Sequence, residues 1–381
     1  MSKTISEINE KIKAGKAVVV TAEEVIDLVE RDGYKKTAET VDVVTTGTFG
    51  PMCSSGMFVN FGHSKPPIKM TKVTLNDVPA YAGLAAVDAY IGATELSLKR
   101  GMEYGGAHVI EDFIAGKDIL LQAESYGTDC YPRKEITTKV NKDNVNQIFL
   151  FNPRNCYQNY AAATNSTNKT IYTYMGTLLP NYGNVTYSTS GELSPLLNDP
   201  EFRTIGIGTR LFLGGGVGYV AWEGTQHNPD QAKSENGLPV AGAGTLSLIG
   251  DIRGMSTEFI RAGVFQKYGI TLYVGVGIPI PILDEEMLAK TAIKNKDIYT
   301  RIVDKSGKVD LDILVNYEEL RSGQISLFGK KVSTAPLTSL YKSRIIAEKL
   351  KGWILNGSFL LTEKVCDLPA HNKVNTLEVR G

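Results

Sequence analysis

TTGTFGPMCSSGMFVNFG, residues 45–62, holds Cys53 at its centre and glycines at 47, 50, 56 and 62. The run before it, AETVDVV at 38–44, is largely apolar and reads as a strand that delivers a loop rich in Gly, Thr and Ser. Glycines at this density let the backbone reach positive φ and approach a ligand closely. Ser54 and Ser55, with their backbone N–H groups, can surround a sulfur or oxygen anion. A thiol in such surroundings reacts as its thiolate. The plainer alternative is a free cysteine packed as a small hydrophobe beside a tight turn.

Further along, the same plan recurs. DILLQAE at 118–124 is apolar at its centre and reads as a buried strand; it runs into SYGTDC, a second glycine-containing loop that ends at Cys130. In α/β proteins ligands bind at loops beyond strand C-termini, so the two cysteine loops are expected to meet at one site. A third strand, TIGIGTRLFL at 204–213, precedes the densest glycine cluster, GGGVG at 214–218. Gly214, Gly215 and Gly216 are read as backbone donors for a carboxylate or phosphate. The cluster matches neither a Walker loop nor a strand-to-helix G-x-G-x-x-G followed by an acidic residue, which weakens a nucleotide reading. WEGTQHN at 222–228 then brings polar groups suited to an amino-acid substrate.

Around these loops the periodicity predicts a mixed α/β fold, without disclosing a strand order. Two helices are expected within residues 4–33, the second opened by a capping box of Thr21 and Glu24, with a short β-type run at 17–20 between them. Strands are expected at 68–76 and 147–151, and a helix rich in small residues at 82–101. A short helix follows Gly105-Gly106, and another is expected over 194–203. The Asn- and Tyr-rich stretch 152–191 resembles β-hairpins with turns at 168–169 and 182–184. YGITLYVGVGI at 268–278 is a β-branched strand, and 340–352 an amphipathic helix. A soft boundary near residue 300 separates a catalytic domain, 1–300, from a small α+β element, 301–381, expected to pack on it.

Composition narrows the classes of function. Lys plus Arg and Asp plus Glu both number 41, so nothing favours nucleic acid or an anionic membrane. No apolar stretch approaches the length of a membrane span, and the opening residues lack a signal-peptide pattern, so a cytoplasmic protein is expected. Four cysteines, at 53, 130, 156 and 366, are too few and too irregular for a disulfide scaffold or a metal-ligand pair. Cys156 is read as structural, and the 18 tyrosines as packing.

Four stretches resemble one known family. They are TTGTFGPMCSSGMFVNFGHSKPP, ESYGTDCYPRKE around Cys130, GTRLFLGGGVGYVAWEGTQHNP, and TAPLTSLYKSRIIAEKLKGWILNGSFLLTEKV. They span residues from about 40 to 365 and are similar to the homocysteine biosynthesis family of anaerobic bacteria and methanogenic archaea. The resemblance implies L-aspartate semialdehyde sulfurtransferase activity, with Cys53 and Cys130 handling sulfur. Archaeal relatives often continue into nucleotide-sensing CBS domains; none is expected here.

An aldehyde plus sulfide reaches only the thioaldehyde level, so making the thiol takes two further electrons. No tightly bound cofactor is expected, and the resemblance implies an external reductant, a ferredoxin-type iron–sulfur partner. On this scheme Cys53 or Cys130 carries sulfur as a persulfide, the outer sulfur adds to the aldehyde, the other cysteine attacks the inner sulfur, and a Cys53–Cys130 disulfide results. His63 is read as a proton donor, against a solvated loop histidine, and His227 joins the supporting shell through its family-like motif WEGTQHNP. Arg133 is read as lowering a thiolate pKa or binding a carboxylate, against a surface salt bridge. Arg210 and Glu223 are assigned to substrate carboxylate and amine, against an internal ion pair. Two other readings stay open: a flavin- or NAD(P)-dependent oxidoreductase using 214–218, and a non-catalytic persulfide carrier. The sequence also leaves a homo-oligomer open.

Overall fold

Thr4 and Thr21 each accept a hydrogen bond from the backbone N–H three residues on, while Glu7 and Glu24 reach back, so two reciprocal capping boxes start the helices Ile5–Lys13 and Ala22–Asp32. Val19–Thr21 between them is a short strand. These features of the computed structural model, which describes residues 2–380, agree with the local sequence. The next segment does not. The first residues of 38–44 finish a helix, Tyr34–Thr40, and the strand is only Val43–Thr45. Asp42 separates them because its buried carboxylate accepts from Lys11 at 2.6 Å and from the Val18 N–H at 3.0 Å.

Nine strands form the main sheet and are numbered here in chain order. They are β1 Thr48–Pro51, β2 Gly56–Asn60, β3 Asp88–Gly92, β4 Gln147–Asn155, β5 Arg210–Leu213, β6 Gly216–Glu223, β7 Leu246–Asp251, β8 Ile260–Phe265 and β9 Gly269–Gly277. In space they run β8-β9-β5-β6-β7-β4-β2-β3, with β1 added on β9, and every pairing is antiparallel. Four strands therefore lie between β9 and β2, a separation of roughly 24 Å in a flat sheet. Yet β1, held on β9, is joined to β2 by the residues 52–55 alone, and Ser55 N–H closes that turn on Met52 O at 3.1 Å. The sheet must curl round for this link to close. Cys53 sits at the closure.

The region 82–101 is not a helix. It forms β3 and the two-residue strand Leu96–Ser97. The small residues serve a period of two: Gly92 lies opposite Gly56 across the β2–β3 pair, and a Cβ on Gly56 would stand 2.0 Å from the Tyr90 hydroxyl. The helix after Gly105 is present as Gly106–Ile114, whereas the helix of 194–203 shrinks to Pro195–Asn198. Ile119–Glu124 alternates buried and exposed residues, the mark of a half-buried strand in the four-stranded sheet flanking β3.

Residues beyond the soft boundary at 300 share elements with earlier ones. Strands Tyr299–Asp304, Val309–Asn316, Gln324–Leu327 and Lys330–Pro336 join Ala162–Thr164 and Asn184–Tyr187 in one six-stranded sheet. The helix Leu340–Leu355 lies on β1 and β9, burying Ile346, Leu350 and Ile354 against Phe49, Phe212 and Phe259. Gly47 is where this helix meets the chain: a Cβ there would stand 2.1 Å from the Ser343 carbonyl oxygen. We therefore expect Gly47→Ala to destabilise the protein by about 1–3 kcal/mol in chemical denaturation, since backbone cannot give way as a side chain can. Gly92→Ala, whose Cβ meets nothing within 4 Å, is the control and should change stability far less.

Candidate active site

Cys53 heads a tight turn, half-buried, with its Sγ 3.2 Å from the Thr271 hydroxyl of β9. The turn is held from below. Ser55 donates to the Met52 carbonyl at 2.8 Å and accepts from the Asn152 amide at 2.8 Å. The Ser54 hydroxyl lies 3.0 Å from Asn152 Oδ1 and donates to the Arg154 carbonyl at 2.8 Å. Both serines thus spend their side chains on the protein and fix the thiol rather than cradle an anion.

Facing Cys53 is a cleft of about 490 Å³ lined by Arg154, Tyr157, Tyr160, Tyr174, Gln226 and Tyr268, among others. A bulge between Asn152 and Asn155 in β4 re-aims Arg154 into it. A second bulge in β6, at Val220–Trp222, precedes the loop that carries Gln226. The Arg154 guanidinium donates to the Gln226 side-chain carbonyl, while its Nε is buried with no partner. No carboxylate is among the described residues lining the cleft, and none pairs with Arg154. Burial pushes the Tyr157 and Tyr268 phenols above their ordinary range, and a thiolate at Cys53 adds to that push. Such a site presents one unpaired cation and one thiol within aromatic walls.

Cys130 lies elsewhere. Its exposed loop follows Glu124, which pairs with Lys72 at the end of the flanking sheet away from Cys53. The five extended residues of β2 alone set the two ends roughly 15 Å apart. Disulfide formation needs Cα atoms within about 7 Å, so the two loops of one chain do not meet as expected. Two other candidates gather around Cys130 instead. His63, exposed, stacks on Tyr131 with ring centroids 5.9 Å apart. Arg133 donates to the carbonyls of Lys65 at 2.7 Å and Pro66 at 3.0 Å, which ties the loop down.

The remaining candidates serve the fold. Gly214 and Gly215 make the β5–β6 hairpin turn at φ +61° and +101°; Met255, Ser256, Phe259 and Ile260 fill the space where a ligand would sit, and Gly216 abuts the Gly254 backbone. Arg210 lies on the Phe359 ring at 4.5 Å, neither it nor Glu223 lines the cleft facing Cys53, and among the described residues the two make no ion pair with each other. His227 is fully buried; its Nδ1 lies 2.9 Å from the Thr245 carbonyl oxygen and 3.0 Å from the Thr245 backbone nitrogen, and its Nε2 is buried without a partner among the described residues. Cys156 is buried too, and burial pushes its thiol far above the ordinary range, in keeping with its structural reading. Sequence reasoning missed Arg154 and the tyrosine walls. The one visible signal was NPRNCYQNY at 152–160, a polar run placed where an apolar strand should simply have ended.

Comparison with known proteins agrees with the sequence resemblance. A family model described as homocysteine biosynthesis enzyme, sulfur-incorporation, matches residues 17–361. A protein of Methanocaldococcus jannaschii named L-aspartate semialdehyde sulfurtransferase is 55% identical over 97% of this chain and 74% of its own length. One of the same name from Methanosarcina acetivorans is 51% identical over 99% of this chain and 74% of its own. An uncharacterized protein of Methanothermobacter thermautotrophicus is 29% identical over 85% of the chain and 73% of its own length. No solved structure matches.

Graded alkylation of the native protein should label Cys130 and Cys366 first, Cys53 more slowly, and Cys156 only on unfolding, as read by peptide mass spectrometry. Under a mild thiol oxidant, no Cys53–Cys130 peptide should appear within one chain. Its appearance would show that the two loops meet in another conformation.

Proposed function

The chain belongs to the homocysteine biosynthesis enzyme family, and on that premise we propose that it is an L-aspartate semialdehyde sulfurtransferase whose substrate sits between Cys53 and Arg154. The observation that carries the reading is the shared cleft: a half-buried thiol and an unpaired, partly buried guanidinium face one space free of lining carboxylates among the described residues. Aspartate semialdehyde offers an α-carboxylate at one end and an aldehyde at the other. Arg154, held by Gln226, takes the carboxylate through a charge-assisted fork. The side-chain amides of Gln226 and Asn228 are the acceptors at hand for the ammonium group, and Tyr157, Tyr160 and Tyr268 enclose the carbon chain. The aldehyde then points to Cys53.

Cys53 takes the outer sulfur of an external persulfide donor, releasing that donor as its thiol, and this outer sulfur then adds to the aldehyde carbon. From sulfide, aldehyde plus H2S plus two electrons and two protons makes the thiol and one water. A persulfide sulfur is one two-electron step more oxidised, so that route takes four electrons and four protons, two electrons cleaving the S–S bond. Cys130 of the same chain stands too far away to take the inner sulfur, so those electrons come from outside. A ferredoxin-type iron–sulfur protein is the class of partner suited to supply them. Cys130, exposed at the other end of the sheet, is the thiol such a partner or a sulfur donor can reach.

The test is anaerobic, with aspartate semialdehyde, a small-molecule persulfide donor or sulfide in parallel assays, and a strong reductant. Cys53→Ala should make no homocysteine while keeping the wild-type circular dichroism; full activity would end the proposal. Arg154→Met should raise KM for the aldehyde by about 10- to 100-fold, the loss expected for a charged hydrogen bond of about 1.5–3 kcal/mol.

A further inference from the structure

Tyr174 stands apart from the other tyrosines of the cleft. It occupies the tip of a hairpin, Ile171–Thr173 and Gly176–Leu178, whose turn falls at 174–175 rather than at the expected 168–169. That turn carries its ring to the cleft wall, edge-on to Tyr160 at 6.3 Å and to Tyr268 at 6.2 Å between centroids. Behind it, Lys305 donates from Nζ to the Tyr174 hydroxyl at 2.9 Å and lies 5.0 Å from the ring centroid. Lys305 follows the strand Tyr299–Asp304, and its own N–H donates to the Thr164 carbonyl at 2.9 Å, so the ammonium approaches from the six-stranded sheet. No residue of the proposed reaction has yet been given the proton that the aldehyde oxygen must receive.

Resting on the sulfurtransferase reading, we propose that Tyr174 is the catalytic acid that protonates the substrate's aldehyde oxygen as sulfur adds to its carbon, with Lys305 as the positioning residue behind it. The step balances. A sulfur lone pair, from hydrosulfide or from a Cys53 persulfide, forms the S–C bond; the C=O π pair moves to oxygen; the Tyr174 O–H proton follows it, leaving a phenolate beside the Lys305 ammonium. The product is a hydroxyl-bearing adduct at unchanged oxidation level. Solvent then returns the proton to the phenolate.

The groups facing Tyr174 support this role. Burial opposes ionising its phenol, but Lys305, the adjoining Tyr160 hydroxyl and the more distant Lys308 outweigh that and hold it below the ordinary phenol range. Tyr160 moves the other way, raised by burial and by the charge of Tyr174, so of the two it is Tyr174 that gives up a proton. Tyr157 and Tyr268 each feel both Cys53 and Tyr174, which puts the acid and the thiol on one space. Arg154 bears on Tyr157 and Tyr160 from the carboxylate end.

Tyr174→Phe should lower kcat for homocysteine formation by about 100-fold or more, the usual worth of a general acid, while KM changes little. In wild type, kcat should fall on the alkaline side as Tyr174 ionises. That limb should vanish in Tyr174→Phe and move to higher pH in Lys305→Met, with Lys305→Arg restoring it. Circular dichroism and Cys53 alkylation rates should match wild type in all three. Tyrosinate absorbance offers a readout free of turnover: the lowest-titrating tyrosine of the wild type should be missing in Tyr174→Phe. If wild type makes homocysteine and Tyr174→Phe keeps its rate and alkaline limb, this inference alone falls. If wild type makes none, the sulfurtransferase reading falls and takes the inference with it.

Discussion

Everything at the cleft depends on the closure of the main sheet by the residues 52–55. β1 is held on β9 and β2 on β3 and β4, and four strands lie between the two anchor points. A turn cannot stretch across a flat sheet of that width, so the sheet curls until Met52 and Ser55 come within one hydrogen bond. Cys53 is carried on that closing turn. Its position is set by backbone pairing on both sides, which is firmer support than a loop offers.

The same end of the sheet is shaped by two interruptions. The bulge in β4 turns Arg154 and Tyr157 inward, and the bulge in β6 precedes Gln226, which braces Arg154. Bulges bend a strand and free side chains from strict alternation, so they are suited to gathering polar groups at one rim. The hairpin 171–178 supplies Tyr174 to the other wall, and Lys305, at the end of a strand of the six-stranded sheet, backs it from behind. Charge is deployed sparingly. Arg154 is the cation of the lining, with Lys305 behind Tyr174, tyrosines and amides are the neutral partners, and no carboxylate lines the cleft among the described residues. That balance suits an anionic amino-acid aldehyde and a sulfur anion together.

The two cysteine loops look alike in sequence but end at opposite edges of their sheets. Cys53 is half-buried behind aromatic walls, whereas Cys130 is exposed among His63, Tyr131 and Arg133. On the proposed reading, the addition to the aldehyde belongs with the first and contact with a partner protein with the second. A single intramolecular disulfide does not join these tasks.

Much was decided by sequence alone. The mixed α/β class, the two N-terminal helices, the strand before Cys130, and the family itself follow from local periodicity, caps and long motifs. These are properties of neighbours in the chain. Tertiary structure decided the rest. Within residues 82–101, Asp88–Gly92 is a strand paired in register with Gly56–Asn60, a partner no local window contains. Glycines 214–216, so like a ligand loop, are spent on a hairpin pressed against residues 254–260. Arg154, Tyr174, Gln226 and Tyr268 come from separate segments, and their polar atoms acquire meaning only when the fold sets them on one cleft with Cys53. Spacing along the chain records which residues can share a strand or helix face; which faces meet is settled by the closure of the sheet.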